Sequence, residues 1–178
     1  VKLLEEKMIS EKPKSKLGIA HTRWATHGEP SEENAHPHKS NERVYIVHNG
    51  IIENYIELKK FLKEEGYNFS SQTDSELIAH MIEHYLGEGN NMLDSMYLTK
   101  KKLDGAYAIA AIDKEDDTKI VIARSKSPLL IGIGKYGSLA ASDPIAISGL
   151  TNKFVFDVYF QLLHIQKFKS FFPHDRFH

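Results

Sequence analysis

Apolar residues recur with two different periods along the chain, and the point where the period changes organises it. Leu3, Leu4, Met8 and Ile9 stand among acids and lysines in residues 1–11, the spacing of an amphipathic helix that Pro13 ends. "KLGIAHTRWAT" (16–26) reads as a strand, and "HGEPSEENAHPHKSNE" (27–42) reads as an ordered loop, because Gly28, Pro30 and Pro37 interrupt any element. "RVYIVHNG" (43–50) is a strand ending in Asn-Gly, the strongest short hairpin signal.

The helical period then takes over. Residues 53–66 place Ile56, Leu58, Phe61 and Leu62 on one side, with Gly66 as C-cap. Residues 73–87 form a second helix, which Thr73 or Asp74 can cap while Glu76 complements its dipole. Its stripe Leu77, Ile78, Met81, Ile82 and Tyr85 is expected inside, leaving Glu76, His80, Glu83 and His84 on the wetter side. Residues 91–103 supply another helix. Short apolar strands follow at 105–113, 118–125, 128–134 and 138–142, separated by turns, and they predict an antiparallel meander. Two strands, then helices, then a strand-rich half imply an α+β domain with helices covering a largely antiparallel sheet.

Composition narrows the function. The 178 residues, 41% hydrophobic, suit one domain with its own core. With 23 Lys plus Arg against 24 Asp plus Glu, no basic footprint points to nucleic acid or to a charged membrane surface. No apolar run approaches the roughly 20 residues of a membrane-spanning helix, and the charged start is not a secretory signal. A cytoplasmic protein acting on small molecules or proteins is expected. The chain has no cysteine, so disulfides, thiolate metal sites and a cysteine nucleophile within it are excluded.

Three stretches carry candidate chemistry. Arg23 and Trp24 end the strand at 16–26, where an arginine fork suits a carboxylate, although a surface arginine lying along Trp24 would read the same. In "HNG" the Asn49 amide and the Gly50 backbone N–H could together face an oxyanion, against the plainer reading of a tight turn. Asp74 is either a helix cap or a partner for an ammonium group. If Arg23 and Asp74 meet, they complement the two charges of an α-amino acid. "HMIEH" (80–84) matches the His-x-x-Glu-His pattern of zinc hydrolases but lacks a third ligand. His36 and His38 in "HPH" are expected to hydrogen-bond a ligand or backbone rather than a metal. No metal and no cofactor is expected.

Taken in order, "GIAHTRWATHGEPSEENAHPH", "VHNGIIENY", "SQTDSELIAH", "LDGAYAIA" and "ARSKSPLLIGIG" identify a resemblance. The chain resembles the N-terminal glutaminase domain of the glutamine:fructose-6-phosphate aminotransferase (isomerising) family, within the class II glutamine amidotransferases. The resemblance covers about Leu3 to Phe156. It implies the N-terminal nucleophile hydrolase αββα sandwich, incomplete in this chain. It also implies ammonia release from L-glutamine by an N-terminal cysteine whose own amine is the base. The ammonia is passed to a sugar-isomerase domain, with a homo-oligomer as the full-length form. Carried onto this sequence, Arg23 binds the glutamine carboxylate and Asp74 its amine. Asn49 and Gly50 form the oxyanion hole, where losing one donor costs about 3 kcal/mol. Trp24, Thr26 and His27 lie beside the glutamine and His36 toward the sugar phosphate, with His21 and His38 structural.

The chain also departs from the family. The family begins Cys-Gly-Ile, and the equivalent of Val1 comes only after further strands, so the nucleophile is not among these residues. The chain as it stands is expected to be inactive, to expose open sheet edges and to fold marginally. After residues 1–156, "DVYFQLLHIQKFKSFFPHDRFH" (157–178) matches nothing in the family, and the isomerase domain is absent. The alternative reading is a non-catalytic module that binds glutamine or glutamate.

Overall fold

In the computed structural model, residues 2–11, 15, 17–22, 31–135, 137–156 and 160–164 are described. The element order is α1 (Lys2–Glu11), β1 (His38–Ser40), β2 (Val44–Ile52), α2 (Tyr55–Glu64), α3 (Glu76–Gly87), α4 (Met92–Lys102), β3 (Gly105–Asp113), β4 (Asp116–Ser125), β5 (Leu130–Ile133), β6 (Ser138–Ala141), a 3-10 turn (Pro144–Ile147), β7 (Phe154–Val155) and β8 (Phe160–His164). This mixture of helix and antiparallel strand is the α+β class that the change of period predicts.

The strands do not form one meander. They divide into a five-stranded sheet, β1-β2-β3-β4-β8, and a three-stranded sheet, β6-β5-β7, every ladder antiparallel. The chain changes sheet between β4 and β5, and the alternation within β3 and β4 shows why. Tyr107, Ile109, Ala111, Val121 and Ala123 point to a core shared with α2, α3 and α4. Ala108 and Ile122, of opposite parity, pack with Leu129 and Ile131 in a second core between the sheets. Both faces of the central strands are thus buried, giving helix, sheet and sheet layers. On the far side of the three-stranded sheet, a side chain at Gly132 would meet Ile147 Cδ1 and Thr151 Cγ2 at 2.7 Å, so the 3-10 turn lies directly on this strand.

Several local expectations are corrected. Residues 17–22 have no regular structure, so the predicted strand at 16–26 is not seen among its described residues. Part of the predicted loop is instead β1, joined to β2 by a turn that Arg43 N–H closes onto Ser40 C=O at 2.9 Å. Asn41 and Glu42 in that turn have positive φ. On α2 only Leu58 and Leu62 are buried; Ile56 is 70% exposed and Phe61 lies at the margin, because the helix contacts α3 along one narrow line. On α3, Glu76 and His80 are buried rather than wet, since the helix is enclosed by β1, β2, α2 and α4.

The largest correction concerns "HNG". It is not a turn: β2 runs through it to Ile52, pairing His48 with Ile109, Gly50 with Tyr107 and Ile52 with Gly105. The turn propensity of Asn-Gly gives way to nine residues of ladder with β3, and Ile52 keeps its place in the core. Gly50 reconciles the two, because it adopts φ 128° within the strand.

Candidate functional site

Arg23, Trp24, Thr26 and His27 lie outside the described residues. The other sequence-predicted groups, His36, Asn49, Gly50 and Asp74, are described, and they gather where the end of β2 meets the segment that enters α3. Asp74 does not cap the helix: α3 starts after Ser75 without a side-chain cap. Its Oδ2 instead accepts the Ile52 backbone N–H at 2.7 Å, across the strand end. This bond fixes a buried carboxylate two residues along from Gly50. Beside it, Ser75 Oγ and His48 Nδ1 are 2.8 Å apart, a second tie between the α3 entry and β2.

The loop before β1 completes the frame. Asn34 Oδ1 accepts the Gln72 N–H at 2.8 Å, and His38 Nε2 lies 3.1 Å from Thr73 Oγ1. The His36 ring packs between His38, with centroids 4.6 Å apart, and His21, at 4.3 Å. His21 Nε2 then approaches Asn49 Oδ1 at 2.6 Å. Asn49, Gly50 and Ile51 remain open to solvent while His48 and Ile52 on either side are buried. A backbone stretch bearing an amide and a glycine N–H is thereby exposed at a place held rigidly from beneath.

These surroundings keep two imidazoles neutral. Burial pulls His48 down to about 4, with the Asp74 carboxylate opposing. Burial, with His38, His21 and His48 adding to it, pulls His36 down to about 3. Buried His36 Nδ1 and His48 Nε2 make no hydrogen bond in the structure, so a proton on either would have no acceptor. The unfolded chain takes up those protons near the ordinary value of about 6.5, so stability is full above it and falls as the pH drops toward the folded values. Thermal unfolding is expected to show about 2 kcal/mol lost to His48 alone between neutrality and about pH 5. His48→Gln is expected to flatten that slope, and an unchanged slope would remove the assignment.

"HMIEH" belongs to a different construction. His80 Nδ1 lies 2.7 Å from Ser40 Oγ, Ser40 also bonds Glu83, and His80 Nε2 is 3.6 Å from Glu76 Oε1. Burial alone would push the Glu76 carboxyl up, but His80 and the Ser70 and Ser71 backbone N–H groups outweigh it and hold it well below the usual carboxylate range. The Ser–His–Glu line resembles a nucleophilic triad, yet Ser40 is fully buried and no substrate reaches it. Its effect is to lock β1 to α3. Among the described residues no group of histidines and acids could hold a metal ion, and no helix is long and apolar enough to cross a membrane. A surface cavity of about 490 Å³ lies at the C-terminal end of α3, lined by Tyr67, His84 and Glu88 among others, and its lining includes neither Asn49 nor Asp74.

The family described as "Glutamine amidotransferase domain" matches residues 21–148, well over half of the chain. A Shewanella oneidensis protein named glutamine–fructose-6-phosphate aminotransferase [isomerizing] is 52% identical over 139 residues, which are 78% of this chain and 23% of that protein. Its Haemophilus ducreyi namesake is 49% identical over 156 residues, 88% of this chain and 25% of that protein. The chain thus spans about a quarter of the length of these relatives. Among solved structures, glutamine phosphoribosylpyrophosphate amidotransferase from B. subtilis, complexed with ADP and GMP, superimposes with a TM-score of 0.63 at 25% identity, over 81% of this chain and 34% of that one. The fold is that of the N-terminal nucleophile hydrolase amidotransferases, and the chain belongs to the glutamine amidotransferase domain family.

Proposed function

We propose that these residues are the substrate-binding part of a glutaminase domain that supplies ammonia from L-glutamine for making glucosamine 6-phosphate from fructose 6-phosphate. The observation that carries the reading is the Asp74 carboxylate held by Ile52 N–H beside the exposed Asn49 and Gly50. In this reading Asp74 meets the substrate ammonium group and Arg23 the carboxylate. Asn49 and Gly50 N–H face the side-chain carbonyl as it becomes an oxyanion. Trp24, Thr26 and His27 border the amino acid, and His36 lies on the side toward the sugar phosphate.

The chemistry needs a thiolate, and these 178 residues contain no cysteine. By themselves they are expected to bind glutamine without hydrolysing it. The cysteine and the sugar-isomerase domain belong to the rest of a longer, cytoplasmic, homo-oligomeric protein. Residues 1–156 form the glutaminase part and 157–178 a tail of different character, of which Phe160–His164 extends the five-stranded sheet beside β4. The absence of cysteine beside an intact carboxylate and amide frame also suits a second reading, a module that binds glutamine or glutamate without catalysis. Binding of L-glutamine by the chain, weakened at least about tenfold in Asp74→Asn, tests what the two readings share. Activity of a cysteine-bearing form separates them.

A further inference from the structure

We propose that His21 is a positioning residue for the oxyanion hole, through a hydrogen bond from its Nε2–H to Asn49 Oδ1. This rests on the function proposed above. A carboxamide has one acceptor end and one donor end, and only the donor end can stabilise a developing oxyanion. Asn49 is exposed on β2, and a half-turn of its side-chain amide exchanges the oxygen for the nitrogen. His21 removes that freedom. Its Nε2 is 2.6 Å from Asn49 Oδ1, so the oxygen is engaged and the NH₂ group is turned away from the ring.

The imidazole is itself held in place. Its ring lies against His36 at 4.3 Å and 44°, His36 lies against His38, and His38 Nε2 reaches Thr73 Oγ1, next to Asp74. A run of contacts therefore links the amide that would meet the substrate carbonyl to the carboxylate that would meet its amine. An amide oxygen only accepts, so His21 must carry its proton on Nε2 in this arrangement. His21→Ala leaves the donors of the oxyanion hole in place but frees the Asn49 amide to turn. The loss should fall on the transition state rather than on glutamine binding.

Two measurements decide this. In the chain as it stands, ¹⁵N spectra are expected to show the Nε2–H tautomer of His21, with a coupling to the Asn49 side-chain carbonyl; the Nδ1–H tautomer would overturn the proposal. In a form bearing the family's N-terminal cysteine, His21→Ala is expected to lower kcat about tenfold to a hundredfold with KM within about twofold. His21→Gln, which keeps a donor, should recover most of kcat. An unchanged kcat in His21→Ala, or equal losses in both variants tracking a fall in Tm, would overturn it. If the cysteine-bearing parent releases no ammonia, the proposed function fails instead, and the tautomer alone decides the geometry.

Discussion

Joining a family segment that begins Cys-Gly-Ile ahead of Val1 is expected to turn a chain that releases no ammonia into a glutaminase. The expected change is the largest available, because a covalent route through a thioester replaces no route at all. The 178 residues contain Asn49, Gly50 and Asp74 in one place but no thiol, and neither the buried Ser40 nor His80 can reach a substrate. Ammonia should appear in step with glutamate. Cys→Ser at the new N-terminus should abolish it. In the active form Arg23→Ala is expected to raise KM strongly with a smaller effect on kcat, since a carboxylate clamp acts in the ground state as well as in the transition state. Release of ammonia by the unextended chain would contradict the account. So would an extended, folded chain that binds glutamine and leaves it intact, which would favour the binding module.

Gly50→Ala is expected to destabilise the fold by about 4 kcal/mol, or roughly 10 °C in Tm, and to abolish glutaminase activity in the cysteine-bearing form. A Cβ at this position would lie 2.0 Å from Ala106 O and 2.8 Å from Tyr107 Cα, both backbone, at φ 128°. No rotamer relieves such an overlap. Only parting β2 from β3 does, which moves the Gly50 N–H and Asn49 away from their places. Gly66→Ala is the control. Gly66 also has positive φ, at 91°, but a Cβ there meets nothing within 4 Å, so the cost should be about 1 kcal/mol of backbone strain. Equal and small effects at both positions would mean that β2 does not run straight through Asn49 and Gly50.

The contrast between the two glycines shows what the sequence could reveal. Gly66 is legible as a C-cap because it ends a helical period. Gly50 reads locally as a hairpin turn, and only the partner strand β3, more than fifty residues away, makes it a strand glycine. Helices α2 to α4 and strands β3 to β6 are legible for the same reason as Gly66: their periods are long and bounded by turns. The division into two sheets is not, since alternation says that β3 and β4 are buried on both faces without saying what covers each face. Exposure of Ile56 and burial of Glu76 and His80 likewise depend on neighbours that a single helix does not announce.

At the site, residue types and motif order point to His36, Asn49, Gly50 and Asp74, and the fold brings these together. The tie from Asp74 to Ile52 N–H replaces the helix cap that the sequence suggests. The sequence alone suggests only a structural role for His21. Its contact with Asn49 spans 28 positions, and the only trace of it in the sequence is a histidine two residues before Arg23.

Whether Asn49, Gly50 and Asp74 face one amino-acid ligand can be read by titrating L-glutamine into the folded 178-residue chain while following its amide spectrum. Saturable, one-to-one shifts centred on Asn49, Gly50, Ile52 and Asp74 are expected, weakened at least about tenfold by Asp74→Asn, which keeps an acceptor for Ile52 but removes the charge. A well-dispersed spectrum that does not respond to glutamine, or one whose shifts fall elsewhere and survive Asp74→Asn, would contradict it.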